Sequence, residues 1–493
     1  MPIRRSALTL MFAAVAAFAP MTMAMAADGD LIIRNARIVD ARGEQGGGLA
    51  TIRIVNGRIA AIEKQARKVS GKARGTTTID ADGGHVAPGL VDAHVHMMWS
   101  PGCALQHPDA RTENWKQTCG RLLPDYLRAY LASGVTTIVD FAGPGFVHKA
   151  IRKLEADGAP SPRYEYLSPV LATAGGYGGV PPFADPDFML VASEADVDRA
   201  FGSAREAGVI GVKVLLESGF IDFQKMPTHS AGILARIGTE AKKNNLPVFI
   251  HASSEADMNR ALDIAPRGLA HTLINRDTPL SQAFIDRMAK SGTFQVSTLQ
   301  TTDSYLNRHE PRRLSRPGLE VVPPSELAYA RDPRNGDRAV SLLSGNPDDP
   351  VAVEQTAAAL SPNSVNRTLK VSEGAIRALA RAGVPIVTGS DTPHHPFALY
   401  SFHGPSSIRE MELLGEAGLS PMEVLTASTL TPARMFGIDR DQGTVEIGKI
   451  ADLVILNGNP ARDIGSWHKI KWVVRAGRAA TPARWLKFRD TAR

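Results

Sequence analysis

The stretch Gly89-Leu90-Val91-Asp92-Ala93-His94-Val95-His96 decides how the rest of the chain is read. Its apolar residues make a short run of the kind that forms a buried strand. Residues two apart on a strand project to the same face, so His94 and His96 look the same way at its end. Paired imidazoles on one face suit a zinc-type cation, although such pairs also arise by chance in surface strands. Here the pair closes an apolar run and precedes a long loop, which favours the metal reading.

The same kind of run recurs along the chain. Strands are expected at 89–96, 135–141, 164–171, 211–216, 247–252, 268–273, 293–299 and 385–391, with helical stretches such as 194–207, 230–244 and 255–265 between them. Alternating strands and helices imply an α/β fold with a parallel sheet, and eight such units are what a (β/α)8 TIM barrel requires. Lys213 lies in Gly211-Val212-Lys213-Val214-Leu215-Leu216, otherwise an apolar run. An ammonium inside such a core is costly and rarely unpaired. The fragment alone allows an exposed strand end, an ion pair with a buried acid, or condensation with carbon dioxide to an anionic carbamate that bridges two cations.

His251 ends Pro247-Val248-Phe249-Ile250-His251, and His271 falls in Gly268-Leu269-Ala270-His271-Thr272. Either one alone reads most simply as a core histidine. Two on successive strands, after the His-x-His and the strand lysine, shift the balance to metal ligands and favour the carbamate. Asp391 closes Val387-Thr388-Gly389-Ser390-Asp391, where a carboxylate can bind a cation through one oxygen and accept a proton with the other.

The ends of the chain have a different style. Residues 31–79 read as short strands with glycine-containing turns, Asn56-Gly57 among them as a hairpin turn, and 451–456 and 471–475 are similar. Neither end has enough residues for a core of its own. The expected organisation is therefore a composite β-sandwich domain from 27–88 and 441–493 around a barrel at 89–440. The connection 300–382, rich in Pro, Arg, Asp and Gly over 308–349, reads as a long structureless excursion after a barrel strand. It is either a lid over the site or a plain surface loop.

Residues 1–26 read as a signal peptide: Arg4 and Arg5, an apolar run over 7–19, and Ala24-Met25-Ala26 as a small-x-small cleavage site. The run is too short to span a bilayer, and no later segment is apolar enough, so no membrane span is expected and the location is periplasmic or secreted. The formal charge is +6, and removing the two leader arginines leaves +4. Without a basic block or interleaved aromatics, nucleic-acid binding is not expected. Cys103 and Cys119 are the two cysteines. In an oxidising compartment they either bridge, closing a loop of about 15 residues worth roughly 3 kcal/mol, or remain two thiols.

The order His-x-His, Lys, His, His, Asp on strands one, four, five, six and eight resembles the amidohydrolase superfamily. More narrowly, it is similar to the binuclear metal-dependent, imidazolonepropionase-like branch that includes Xaa-Pro dipeptidases. Further stretches carry the likeness: Ala87-Pro88 before the opening run, Ala427-Ser428-Thr429 with Thr431-Pro432-Ala433, and Gly443-Thr444-Val445-Glu446-Ile447-Gly448-Lys449-Ile450-Ala451-Asp452-Leu453-Val454. It covers essentially the mature chain. The resemblance implies two divalent cations, zinc foremost with manganese and cobalt also compatible. His94, His96 and Asp391 would hold the buried ion, His251 and His271 the more exposed one, and carboxylated Lys213 would bridge them. Three stretches depart from the family. Gly175-Gly176-Tyr177-Gly178 puts Tyr177 where relatives often carry a histidine that touches substrate. Leu215-Leu216-Glu217-Ser218-Gly219 replaces smaller residues, and Thr392-Pro393-His394-His395-Pro396 follows Asp391.

Two cations sharing a water bring its pKa towards neutrality, with Asp391 as proton acceptor and donor. Tyr177 is a candidate donor to the developing oxyanion, or a packing or stacking residue. The expected reaction is hydrolysis of an amide C–N bond in a small substrate such as a dipeptide or N-acyl amino acid. An ester, lactone or phosphotriester would suit the same centre, and a catalytically silent scaffold is the third reading. Oligomeric state is left open, a homo-oligomer included.

Overall fold

The structure is a computed structural model that describes residues 30–65, 76–101, 103, 112–180, 184–185, 187–219, 225–273, 278–306 and 311–487. The leader expected over 1–26 lies outside the described residues, as do 307–310 in the long connection.

The first strands are β1 (Leu31–Asp40), β2 (Gly43–Val55), β3 (Arg58–Gln65), β4 (Thr77–Asp80) and β5 (His85–Pro88). Asn56 and Gly57 join β2 to β3 with φ of 50° and 75°, the left-handed pair that a two-residue hairpin turn needs. The inner strands follow: β6 (Leu90–Val95), β7 (Val135–Asp140), β8 (Arg163–Tyr166), β9 (Val170–Ala172), β10 (Met189–Leu190), β11 (Val212–Leu215), β12 (Val248–His251), β13 (Gly268–Ala270), β14 (Phe294–Val296) and β15 (Ile386–Val387). Last come β16 (Leu453–Leu456), β17 (Ile470–Arg475) and β18 (Arg478–Ala480).

β5 pairs antiparallel with β16, so both ends of the chain enter one eight-stranded sheet, ordered β18-β17-β16-β5-β1-β2-β3 with β4 also on β1. Ile33, Ile52 and Val86 from one end share a buried cluster with Leu453 and Ile455 from the other. Each end supplies the apolar face that the other needs.

The inner strands run parallel, β6-β7-β8 in one ladder and β10-β9-β11-β12-β13-β14-β15 in another. Backbone bonds join the two ladders on both sides. Leu167 N donates to Asp140 O (2.9 Å) and Ser168 N to Gly211 O (3.1 Å); across the other gap Ala93 N donates to Thr388 O (3.1 Å) and His96 N to Thr392 O (2.8 Å). The pairing thus returns to its starting strand. Ala93, Val139, Phe141, Leu167, Phe249, Ala270, Val296 and Val387 form one buried cluster from strands all round this ring. Strands covered on both faces read as continuous apolar runs, which is why the sequence marks them.

The expected third strand, 164–171, is split into β8 and β9. Pro169 between them has no N–H to give a ladder, and its carbonyl instead accepts from Lys213 N (3.3 Å). Outer helices are α1 (Glu113–Ala132), α2 (Gly145–Ala156), α3 (Glu194–Ala207), α4 (Ala231–Asn244), α5 (Glu255–Leu262), α6 (Gln282–Ser291) and α7 (Leu299–Leu306). Ser193, Ser230, Ser254 and Ser281 cap the starts of α3 to α6 through their hydroxyls, as N-cap chemistry favours. Cys103 is bridged to Cys119 on α1, with Cα atoms 5.3 Å apart.

The connection 300–382 is not structureless. After α7 come 3₁₀ turns at Pro311–Ser315 and Leu319–Val321, then α8 (Pro324–Arg331), α9 (Pro333–Leu343), α10 (Pro350–Ala359) and α11 (Pro362–Arg381). The prolines that read as loop residues sit at helix starts, where a missing N–H costs nothing. Asp332 and Asp349 cap two of those helices by accepting from Arg334 N and Val351 N. The first part of the connection is anchored: Val322 and Ala330 pack on Phe402, and Arg313 Nη2 bonds Asp303 on α7 at 2.7 Å. Arg409 on α12 (Pro405–Glu416) meets the same carboxylate at 3.2 Å.

Candidate metal centre

At the C-terminal end of β6 the two histidines point inward as strand periodicity requires, and both are buried. His94 Nε2 and His96 Nε2 lie 3.3 Å apart. Asp391 Oδ1, from the segment after β15, lies 3.2 Å from the first and 2.9 Å from the second. Ligand atoms about 2.0–2.1 Å from a tetrahedral zinc are about 3.3–3.4 Å from one another. The three atoms therefore form a triangle of the right size to be one face of such a site. His96 Nδ1 lies 3.2 Å from Ala142 O. A proton held there leaves the Nε2 lone pair facing the triangle.

The backbone is bent to make this arrangement. Asp391, His271 and Thr298 have φ of 55°, 75° and 47°, a region that non-glycine residues rarely enter and that clusters at functional sites. Gly389 admits the close approach of the two strands, since a Cβ there would stand 2.7 Å from His94 Cβ. Asp92 pins the same junction. It accepts from Ser390 N (2.9 Å), Ser390 Oγ (2.6 Å) and Ser407 Oγ (2.5 Å).

The second carboxylate oxygen of Asp391 faces another set of groups. Thr301 Oγ1 donates to Oδ2 at 3.0 Å, and His271 Nδ1 and His394 Nδ1 each stand 3.6 Å from it. His271 Nδ1 is also 3.0 Å from Thr298 Oγ1. Beside that triangle, two overlapping donor groups among the described residues are compact enough to hold an ion: His94, His271 and Asp391, and His96, Asp391 and His394. The His251 ring lies edge-on to His271 with centroids 4.4 Å apart.

Lys213 sits on β11, 2% exposed. Its Nζ lies 4.6 Å from the centre of the Phe141 ring and has no hydrogen-bond partner among the described residues. Burial lowers its pKa to about 7, opposed by the Asp391 charge. A buried amine with nothing to bond is an exception that asks for an explanation. Burial also lowers His94, His251 and His271, so these rings are neutral and keep a lone pair for a cation. For Asp391 burial opposes ionisation, but His94, His394 and His271 outweigh it and hold the carboxyl well below the usual range.

Tyr177 is buried, its ring stacked on His251 with centroids 4.7 Å apart. Burial, then Asp391 and Glu217, push its pKa up, which keeps the phenol protonated. The structure thus brings His94, His96, Lys213, His251, His271, Asp391 and Tyr177 to one end of the ring. Two further residues join them that sequence reasoning assigned no role. Glu217 is buried, with Oε2 3.2 Å from His251 Nε2, and His394 stands beside Asp391 and the Trp99 ring. The only signal for either was its departure from the family's usual residues. His395 lies apart, with its ring against Tyr329 of α8.

The fit to a divalent cation rests on this donor set: neutral imidazoles, an ionised carboxylate and an orphaned buried amine. Comparison with known proteins points the same way. An adenine deaminase of Listeria monocytogenes serotype 4b (strain F2365) is 28% identical over 300 residues, which is 58% of this chain and 43% of the relative. The chain thus spans under half the length of that relative. A dihydroorotase of Streptococcus pyogenes serotype M1 is 24% identical over 456 residues, 86% of this chain and 89% of the relative. The crystal structure of a Xaa-Pro dipeptidase with bound methionine superposes with a TM-score of 0.68 at 19% identity, covering 92% of this chain and 100% of that one; at that identity it bears on the fold alone. The amidohydrolase family profile matches residues 85–480, and the chain belongs to that family.

Proposed function

We propose that this chain is a metal-dependent amidohydrolase cleaving the C–N bond of an amide or peptide in a small substrate such as a dipeptide or an N-acyl amino acid. One observation carries the reading: His94 Nε2, His96 Nε2 and Asp391 Oδ1 stand 2.9 to 3.3 Å apart, the spacing of ligand atoms on a tetrahedral ion. His94, His96 and Asp391 would hold one cation and His251 and His271 a second, zinc in each case. Relatives named as an adenine deaminase and a dihydroorotase support a C–N bond as the target.

When bound, the cations supply a Lewis acid for the substrate carbonyl and bring the pKa of water towards neutrality. The rest is done by the protein's own groups. Asp391 directs Oδ1 to the ligand triangle and holds Oδ2 on Thr301. It takes a proton from the attacking water and passes it to the departing amine. Lys213, whose amine has no hydrogen-bond partner among the described residues and whose pKa is lowered to about 7, would add in its neutral form to carbon dioxide. An N–C bond would form, the amine proton would pass to water, and the anionic carbamate would join the residues that hold the cations. Tyr177 closes the side of the site beside His251 and offers a protonated phenol to the substrate.

The architecture we assign to this chemistry is a (β/α)8 barrel at 89–440, with a β-sandwich domain built from 27–88 and 441–493. The parallel pairing that returns to β6 and the joining of both ends at β5 and β16 support it. No helix among the described residues is long and apolar enough to cross a membrane. With the leader features of residues 1–26, we place the mature protein in the periplasm or outside the cell.

Metal analysis of the purified mature protein, paired with a panel of Xaa-Pro dipeptides, N-acyl amino acids, lactones and organophosphates, tests the proposal. Two equivalents of divalent metal and turnover of an amide are expected. Failure to take up metal overturns the reading, as does turnover confined to lactones or phosphotriesters.

A further inference from the structure

Four imidazoles converge in the centre, and their outer nitrogens are treated unequally. His96 Nδ1 meets the carbonyl of Ala142 at 3.2 Å. His271 Nδ1 meets the hydroxyl of Thr298 at 3.0 Å. His94 Nδ1 has no hydrogen-bond partner among the described residues. Of these four outer nitrogens His251 Nε2 is the one at hydrogen-bond distance from a carboxylate, 3.2 Å from Glu217 Oε2, whereas His271 Nδ1 stands 3.6 Å from Asp391 Oδ2.

Glu217 is itself held in place. Gly219 N donates to Oε1 at 2.9 Å, and Ser253 Oγ donates to Oε2. Donors converging on a carboxylate favour its charged form. A neutral His251 donating from Nε2 to that charge keeps its lone pair on Nδ1. A carboxylate behind a histidine fixes its tautomer and raises its basicity as a ligand, and losing such a partner costs about 10–100-fold in metal affinity.

We infer that Glu217 is a positioning residue: through its bond to His251 Nε2 it sets the tautomer and donor strength of that ring, so that one of the two cations depends on a charge which the other lacks. The inference rests on the metal reading above. It predicts an unequal pair, with the ion on the His94, His96 and Asp391 side indifferent to Glu217.

The test is a Co(II) and Zn(II) titration against a competing chelator, with thermal melts as a control on folding. Wild-type protein should bind two ions. Glu217→Gln should weaken one of them about 10–100-fold and leave the other unchanged. Ser253→Ala, which removes a donor to Glu217 and leaves His251 intact, should shift the same ion less. When saturated with Co(II), Glu217→Gln should show wild-type visible absorption bands, because the ligands themselves are unchanged. Equal affinities in wild type and both variants overturn the inference. So do simultaneous weakening of both ions, or altered Co(II) bands at saturation, which would place Glu217 in the coordination sphere. If wild-type protein binds no cation, the metal reading fails first and takes this inference with it.

Discussion

The two sides of the site are built on opposite terms. On the β6 and β15 side, His94, His96 and Asp391 already stand at ligand spacing, held by Asp92, Thr301 and a backbone in unusual φ values. On the β11 and β12 side, Lys213 presents to Phe141 an amine with no hydrogen-bond partner among the described residues, and His251 is turned to Glu217. One side is preorganised by its folding. In the proposed reading the other would become a ligand set only after Lys213 takes up carbon dioxide. A centre of this kind should lose everything when its rigid half is cut, and lose something recoverable when its adaptable half is cut.

The sharpest way to break the contrast is Asp391→Asn. This variant keeps the shape but removes both the charge and the proton acceptor. Activity should fall roughly ten-thousand-fold, about 5 kcal/mol in barrier height, and added formate or acetate should restore none of it. Rescue by a carboxylate there would mean the rigid half is not rigid. Lys213→Ala comes next. We expect a loss beyond the roughly hundredfold typical of an outer partner, together with lower metal content. Partial recovery with a short-chain carboxylate is expected, because that anion can occupy the space a carbamate fills. Metal stoichiometry unchanged in this variant would count against a bridging carbamate.

How much of this was legible beforehand follows the same division. Titratable residues in or at the ends of apolar runs stand out, because a buried parallel strand has little reason to carry them; hence His94, His96, Lys213, His251, His271 and Asp391 were all visible. Glu217 was not, since a carboxylate just past a strand reads as a solvated turn. Only the fold brings Ser253 and His251 against it. The third strand looked continuous because its apolar pattern runs through Pro169. The long connection looked structureless because Pro and Asp mark loops and helix starts alike, and Asp332 and Asp349 are caps. Pairing of the two ends was inferred from their lack of a private core, and the β5–β16 ladder is where that pairing occurs.

A smaller effect probes what supports the rigid half. Glu410 on α12 is buried and receives the start of α7 through Leu299 N (3.1 Å) and Gln300 N (2.6 Å). That helix carries Thr301 to Asp391. Burial pushes the Glu410 carboxyl up to about 7, against its hydrogen bonds from Ser297, Gln300 and Leu299. A carboxyl with a raised folded-state pKa binds its proton more tightly in the folded chain. Its contribution is therefore whole below the unfolded value and is lost as pH rises through about 7. Urea denaturation from pH 4.5 to 7 should show wild-type stability declining relative to Glu410→Gln by up to about 3 kcal/mol. Parallel curves would show that the buried carboxyl does not titrate there.

The finest test is the hydroxyl itself. Thr301→Val keeps the shape of the side chain and removes the bond to Asp391 Oδ2. A hydrogen bond to a charged group is worth about 1.5–3 kcal/mol. If that bond sets the direction of the carboxylate, kcat should fall about tenfold or somewhat more, with KM and metal content near wild type. Loss of metal together with kcat would mean Thr301 supports the ligand triangle as a whole rather than the aim of one oxygen. An unchanged kcat would mean that the bent backbone at Asp391 fixes the carboxylate without help. In that case preorganisation on this side lies in the chain's φ values at His271, Thr298 and Asp391, and side-chain hydrogen bonds only follow from it.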